Sequence, residues 1–232
     1  MIFGSLEELA VGGVPVFFPD TCILLDILRS PRRENVDASA VLAATAIRNA
    51  VVQDGTVGCV VPEQVRLELA ENLPNVRDDT DSALRKLVSE MKRIDAWSVA
   101  LGQPSQTVVD HFRARVPTAE QIMSDIVQAS LSHATTPDIT NRGFTRMMQK
   151  RTPAKLGKDS TKDCVVVESY LEVASSLRAL GHTCDIVFAS SNVSDFVSGA
   201  PKKLNVDISS EFDALGVRFG RALHEAKHLL NL

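Results

Sequence analysis

With 232 residues, 44% of them hydrophobic, and a mean hydropathy near zero, the chain carries enough apolar material for one well-buried domain plus an insertion, or for two small domains. A formal net charge of −4 excludes indiscriminate coating of nucleic acid by bulk charge, while leaving room for a local basic surface. No run approaches the roughly 18–20 apolar residues that span a bilayer, and the opening residues, with Glu7 and Glu8 and no basic side chain, do not read as a secretory signal, so no membrane is expected and the expected location is cytoplasmic.

Taken in chain order, Val14 to Phe18 is the first strand-like run, followed by a helix expected over Thr21 to Leu28 and another over Val36 to Val52. Thr56 to Val61 reads as a second strand, and Pro62 to Leu73 as a helix with proline at its first position. Helices are expected over Thr80 to Trp97, Gln106 to Arg115 and Thr118 to Leu131. From Asp159 to Leu180 the residues Val166, Val167, Tyr170, Val173, Ala174 and Leu177 recur at three- and four-residue steps, an amphipathic helix ending at Gly181. Asp185 to Ala189 is a third strand, and a last helix runs from about Arg221 to Leu230. Apolar strands alternating with helices predict an α/β fold with a parallel sheet covered on both faces. Residues from about 75 to 157 show no clear strand and read as a mainly helical insertion within a single domain spanning 1–232. The four cysteines, Cys22, Cys59, Cys164 and Cys184, lack paired spacing, which argues against a zinc ribbon or redox motif and for packing as small apolar residues.

Asp163 stands out because it lies three and four residues before Val166 and Val167, on the stripe turned toward the core, with no arginine at helical spacing on that stripe. Either a metal ion is its partner, or it complements the positive end of the helix beside Asp159, Ser160 and Thr161. Glu168 and Glu172 fall on the opposite face, where solvent would account for them. In a parallel sheet, helix N-termini lie at the edge formed by strand C-termini, where ligands bind. Asp20 follows the first strand, Glu68 sits in the second turn of the helix after the second strand, Asp163 opens the helix before the third, and Asp195 follows the third beyond Ser190 and Asn192. All four acids are therefore expected at one sheet edge. Periodicity does not choose between Glu63 and Glu68, which flank the Val65, Leu69, Leu73 stripe about equally; Glu63 suits the first-turn dipole and Glu71 points farther away.

The order Pro19-Asp20-Thr21-Cys22, then Val61-Pro62-Glu63 through Glu68-Leu69, then Lys158-Asp159-Ser160-Thr161-Lys162-Asp163-Cys164, then Phe188-Ala189-Ser190-Ser191-Asn192 through Asp195-Phe196 resembles the PIN-domain nucleases. The likeness covers about Val14 to Asn72 and Ser160 onward. It implies a three-layer α/β/α sandwich with a central parallel sheet, and a Mg²⁺- or Mn²⁺-dependent ribonuclease, a class that includes the toxins of toxin–antitoxin pairs. By this resemblance Asp20, Glu68 and Asp163 would be the metal-binding acids. The fourth position departs from the family: Asn192 stands where many members carry an acid or asparagine, with Asp195 farther on.

An acid cluster without histidine or cysteine suits Mg²⁺ or Mn²⁺ better than zinc. The expected chemistry is attack of an activated water on an RNA phosphodiester, with Asp20, Glu68, Asp163 and Asp195 as candidate catalytic and metal-binding residues and Thr21, Ser190 and Asn192 lining the site. Arg142, Arg146, Lys150, Arg151, Lys155, Lys158 and Lys162 form a basic segment that could hold a nucleic-acid backbone, Arg142, Arg146 and Lys150 sharing a face if that piece is helical. On charge alone a solvated linker is the simpler account. An inhibitor or antitoxin partner and a homo-oligomer both stay open. His224-Glu225-Ala226-Lys227-His228 matches the H-E-x-x-H zinc pattern, but no third ligand follows it on this short terminal helix, and a chance match is expected. An aspartyl-nucleophile phosphohydrolase would need an aspartate where Cys22 stands. From another class, a catalytically silent module binding RNA or protein is the alternative that Asn192 keeps alive.

Overall fold

The computed structural model describes residues 3–29, 38–103, 106–155, 157 and 159–232. Helix α1 (Leu6–Gly12) is capped by Ser5, whose hydroxyl accepts from the Glu8 amide, and it leads into β1 (Val16–Pro19) and α2 (Thr21–Asp26). Helix α3 (Ala38–Asn49) runs on into a π turn over Ala50–Asp54, closed by Gly55 in the left-handed region (φ 64°), and β2 (Gly58–Pro62) follows. Val36 and Asp37, expected to open α3, lie outside the described residues.

The helix after β2 departs from expectation. Two helices separated near Pro74 are one helix, α4 (Glu63–Ala100), of 38 residues. Pro74 and Ala70, whose carbonyl the proline leaves without its amide partner, are both exposed residues, which softens the usual cost of an interior proline. Pro62 is the extended cap and last residue of β2 rather than the first helical residue.

Residues Asp110–Arg115 form only a 3₁₀ turn where a longer helix was expected, and α5 (Val116–Ala129) then delivers β3 (Leu131–His133). The stretch read as strandless thus contributes a strand to the sheet. Three residues at an edge, with a polar residue between two half-buried ones, carry no apolar run to announce it. Helix α6 (Pro137–Met148) precedes α7 (Thr161–Ala179), β4 (Ile186–Ala189) and the short α8 (Val193–Phe196). A small hairpin, β5 (Val197–Ser198) with β6 (Lys203–Leu204), leads to α9 (Val206–Leu215), β7 (Val217–Gly220) and α10 (Leu223–Leu229).

The five-stranded sheet is wholly parallel, in the order β3-β2-β1-β4-β7. Its three inner strands are buried at every residue, as expected for a sheet covered on both faces. Helices α3, α5 and α10 pack together, α1 and α9 pack on α7, and α6 lies against α7, giving the three-layer α/β/α sandwich. No helix among the described residues is long and apolar enough to cross a membrane.

The strand order matters for function. The chain proceeds outward from β1 through β2 to β3, then returns to place β4 on the other side of β1. The helices after β1 and β4 therefore diverge, which opens a crevice beyond the carboxyl ends of these two strands.

Candidate active site

Asp20 sits at that crevice because it ends β1 and caps α2: its amide donates to the Ala189 carbonyl of β4, and its Oδ1 accepts from the Thr21 amide at 2.7 Å. Oδ2 accepts from Ser190 Oγ at 2.6 Å and from Cys22 Sγ at 3.2 Å. Residues from the start of α2 and from the loop after β4 thus clasp one carboxylate. Burial pushes the Cys22 thiol up to about 12, with the Asp20 charge adding to the shift, so Cys22 is a protonated donor at neutral pH.

Glu68 lies two turns into α4 and reaches the same place. Thr21 Oγ1 donates to its Oε2 at 2.9 Å and Gln64 Nε2 to its Oε1 at 3.0 Å. The periodicity left Glu63 and Glu68 equal, and the tertiary contacts separate them: Glu63 accepts from the Thr135 amide at 3.0 Å, and Glu71 pairs with Lys162 at 2.9 Å.

Asp163 occupies the first turn of α7. The rotation of that helix is set by Tyr170, seven residues on and so on nearly the same face. Its hydroxyl donates to the Pro19 carbonyl at 2.5 Å, and its ring stacks on Phe18 with centroids 4.7 Å apart. A residue anchored to the end of β1 thereby aims Asp163 at Asp20. Tyr170 was legible only as a core position, although its place on the Asp163 stripe was the available signal.

Electrostatics records the convergence. Burial holds the Asp20 carboxyl above its ordinary value; the Ser190 and Cys22 hydrogen bonds oppose this, and the Asp163 charge adds to it. Burial likewise raises Glu68, opposed by the Gln64 and Thr21 hydrogen bonds and reinforced by Asp20 and Asp163. Three carboxylates from the end of β1, α4 and α7, up to 143 residues apart, therefore feel one another. Among the described residues no Lys or Arg makes an ion pair with Asp20 or Glu68.

The fourth acid, Asp195, is buried in α8 and lines a small cleft with Asp20, Asp163, Asn192 and the apolar Val166, Val167 and Phe196. The cleft holds about 10 Å³, room for roughly one water-sized particle. Asp195 Oδ1 pairs with Lys155 Nζ at 2.5 Å, and Asn192 Nδ2 donates to Oδ2. Asn192 thus serves as a donor to Asp195.

As it stands, no group of three or more His, Cys, Asp or Glu among the described residues is drawn close enough to grip a cation. The donor set nevertheless suits a hard divalent ion, being all oxygen, part-buried and rich in mutually repelling carboxylates. The hydroxyls of Ser190 and Thr21 hold Asp20 and Glu68 in the positions from which they would close on it.

The basic segment is dispersed rather than assembled into one face. Arg146 is only 1% exposed and is held by Glu168 at 2.6 Å, Glu211 at 2.7 Å and the Thr152 carbonyl at 2.8 Å, which removes it from any nucleic-acid surface. Arg142 does share its face, but that face turns onto α7, where Arg142 pairs with Glu168 and Glu172. Glu168, expected in solvent, is 8% exposed because α6 covers the side of α7 away from the sheet. Arg151 pairs with Glu211, and Lys155 and Lys162 pair with Asp195 and Glu71. Lys150 is exposed in a left-handed turn (φ 55°), and Lys158 lies outside the described residues. In the H-E-x-x-H segment, Glu225 accepts from the Arg221 amide at 2.8 Å, an N-terminal helix contact.

A PIN domain model matches residues 17–196, the stretch from β1 to the end of α8 that contains all four acids. The chain belongs to the PIN-domain family, whose members are generally nucleases. No curated protein and no solved structure matches it.

Proposed function

We propose that this protein is a divalent-metal-dependent endoribonuclease in which Asp20, Glu68 and Asp163 hold Mg²⁺ or Mn²⁺. The observation that supports this reading is that Thr21 at the topological switch point donates to both Asp20 and Glu68, while Asp163 lines one cleft with Asp20. When bound, the ion would lower the pKa of a coordinated water and neutralise charge developing on the phosphate.

The chain's own residues do the rest. Ser190 and the Thr21 amide orient Asp20, and Thr21 and Gln64 orient Glu68, which would accept a proton from the attacking water. The Val166, Val167 and Phe196 walls limit water access. Exposed Lys162, whose charge interacts with Glu68, and exposed Lys150 are the basic groups offered to an RNA backbone, with an inhibitor protein as a further partner.

One observation favours a second reading: Asp195 is already engaged by Lys155, as expected of a silent RNA- or protein-binding module. Incubating the protein with single-stranded RNA and DNA in Mg²⁺, Mn²⁺ or chelator separates the two. Metal-dependent RNA cleavage, abolished by Asp20→Asn and by Asp163→Asn with the fold intact, is expected. Full activity in either variant removes that residue from the mechanism, and no cleavage under any condition leaves the silent module.

A further inference from the structure

Lys155 is a residue whose position in the site has to be explained. It belongs to the connection between α6 and α7, and that connection is tied down tightly. The Thr152 carbonyl accepts from Arg146 at 2.8 Å, and the Thr152 amide and hydroxyl donate to Asp207 at 2.6 and 2.8 Å. Asn205 Nδ2 donates to Thr152 Oγ1 at 3.0 Å, and the Lys155 amide donates to the buried Ser160 hydroxyl at 3.3 Å. From this base the Lys155 ammonium reaches Asp195 Oδ1 at 2.5 Å and Ser194 Oγ at 3.0 Å. The carboxylate it meets is almost wholly buried and shares its cleft with Asp20 and Asp163.

A buried carboxylate in a cluster of acids needs a cation. Among the described residues Lys155 supplies one covalently. An ammonium in contact with Asp195 would repel a divalent ion bound to the same carboxylate, so the pair and a second metal compete for one position. Asn192, donating to the other Asp195 oxygen, further commits this acid to the ion pair.

We infer that Lys155 is an internal substitute for a second metal ion at Asp195, so that the site takes a single divalent cation, at Asp20, Glu68 and Asp163. This rests on the nuclease reading above. Two of the ammonium's three N–H donors go to Asp195 and Ser194, which leaves one for a phosphate oxygen held beside the metal.

The test is a count of bound Mn²⁺ by calorimetric titration, supported by electron paramagnetic resonance for spin coupling between paired ions. The unaltered protein is expected to bind one Mn²⁺, Lys155→Met two, and Lys155→Met combined with Asp195→Asn one again, with matching circular dichroism and cooperative melting throughout. Lys155→Arg, which keeps the charge, is expected to bind one. Two Mn²⁺ in the unaltered protein, which needs no variant to fold, overturns the assignment of Lys155. One Mn²⁺ in both it and Lys155→Met does so as well, while leaving the nuclease reading standing. No Mn²⁺ in either protein removes the metal-dependent reading itself and the role of Lys155 with it.

Discussion

Asp20 shows at the scale of one residue how a site is bought at the expense of stability. Its carboxyl is raised in the folded state by burial and by Asp163, so the folded protein binds its proton more readily than the unfolded chain does. The associated stability is fully present below the ordinary value of 3.8 and is lost as pH rises through the folded value. Asp20→Asn keeps the helix-capping oxygen and removes the charge. In chelator at pH 7 it is expected to be more stable by roughly 1 kcal/mol, a rise in melting temperature of about 2–4 °C for a chain of this size. The gain should shrink as pH falls toward about 3, below the ordinary value of 3.8, where the aspartate is largely protonated in both states. Thermal melts at the two pH values check this; an Asn variant that melts no higher at pH 7 would show that the acid carries no electrostatic strain. That Asp20 and Asp163 belong to the site was readable from strand context and helical phase. Glu68 over Glu63 was not, since both flank the same stripe and what separates them is tertiary: Thr21, 47 residues away, donates to Glu68, and the Thr135 amide donates to Glu63.

Among the elements, α6 and α7 show why a local rule fails in context. Gly143 lies inside α6, where alanine would ordinarily improve a helix by about 1 kcal/mol. A β-carbon there would come within 2.7 Å of Val165 Cγ2 and 3.0 Å of its backbone, because the two helices touch at this point. Gly143→Ala is therefore expected to destabilise the protein by about 1–3 kcal/mol, measured by urea unfolding; an unchanged or higher midpoint would mean the helices can part without penalty. The same pair of helices explains the misreading of Glu168. A helix with one partner has a wet side, but α7 lies between the sheet and α6, and nothing in its own periodicity reports the second cover.

For the whole molecule, Arg146 joins parts that the sequence keeps far apart. Its guanidinium binds α7 through Glu168, α9 through Glu211, and the connection that carries Lys155 through Thr152. Losing it strips a partner from two carboxylates in a part-buried network, and Arg146→Met is expected to cost about 3 kcal/mol in chemical unfolding. Combining it with Glu168→Gln should recover part of that loss; a loss under about 1 kcal/mol for the single variant would make the network incidental. Arg142 and Arg151 remain to share the two glutamates, which keeps the expected cost at the lower end for a broken buried pair.

The sequence by itself determined the α/β class and the three inner strands, and it led to the expectation that Asp20, Asp163 and Asp195, with either Glu63 or Glu68, gather at one sheet edge. These follow from local signals: apolar runs, helical phase, and the rule that helices start where parallel strands end. Only the tertiary structure decided that Arg146 is interior, that Lys155 answers Asp195, and that residues 131–133 join the sheet. Each of these depends on which distant surface covers a side chain or pairs with an edge, and neither periodicity nor composition along a chain encodes that neighbour.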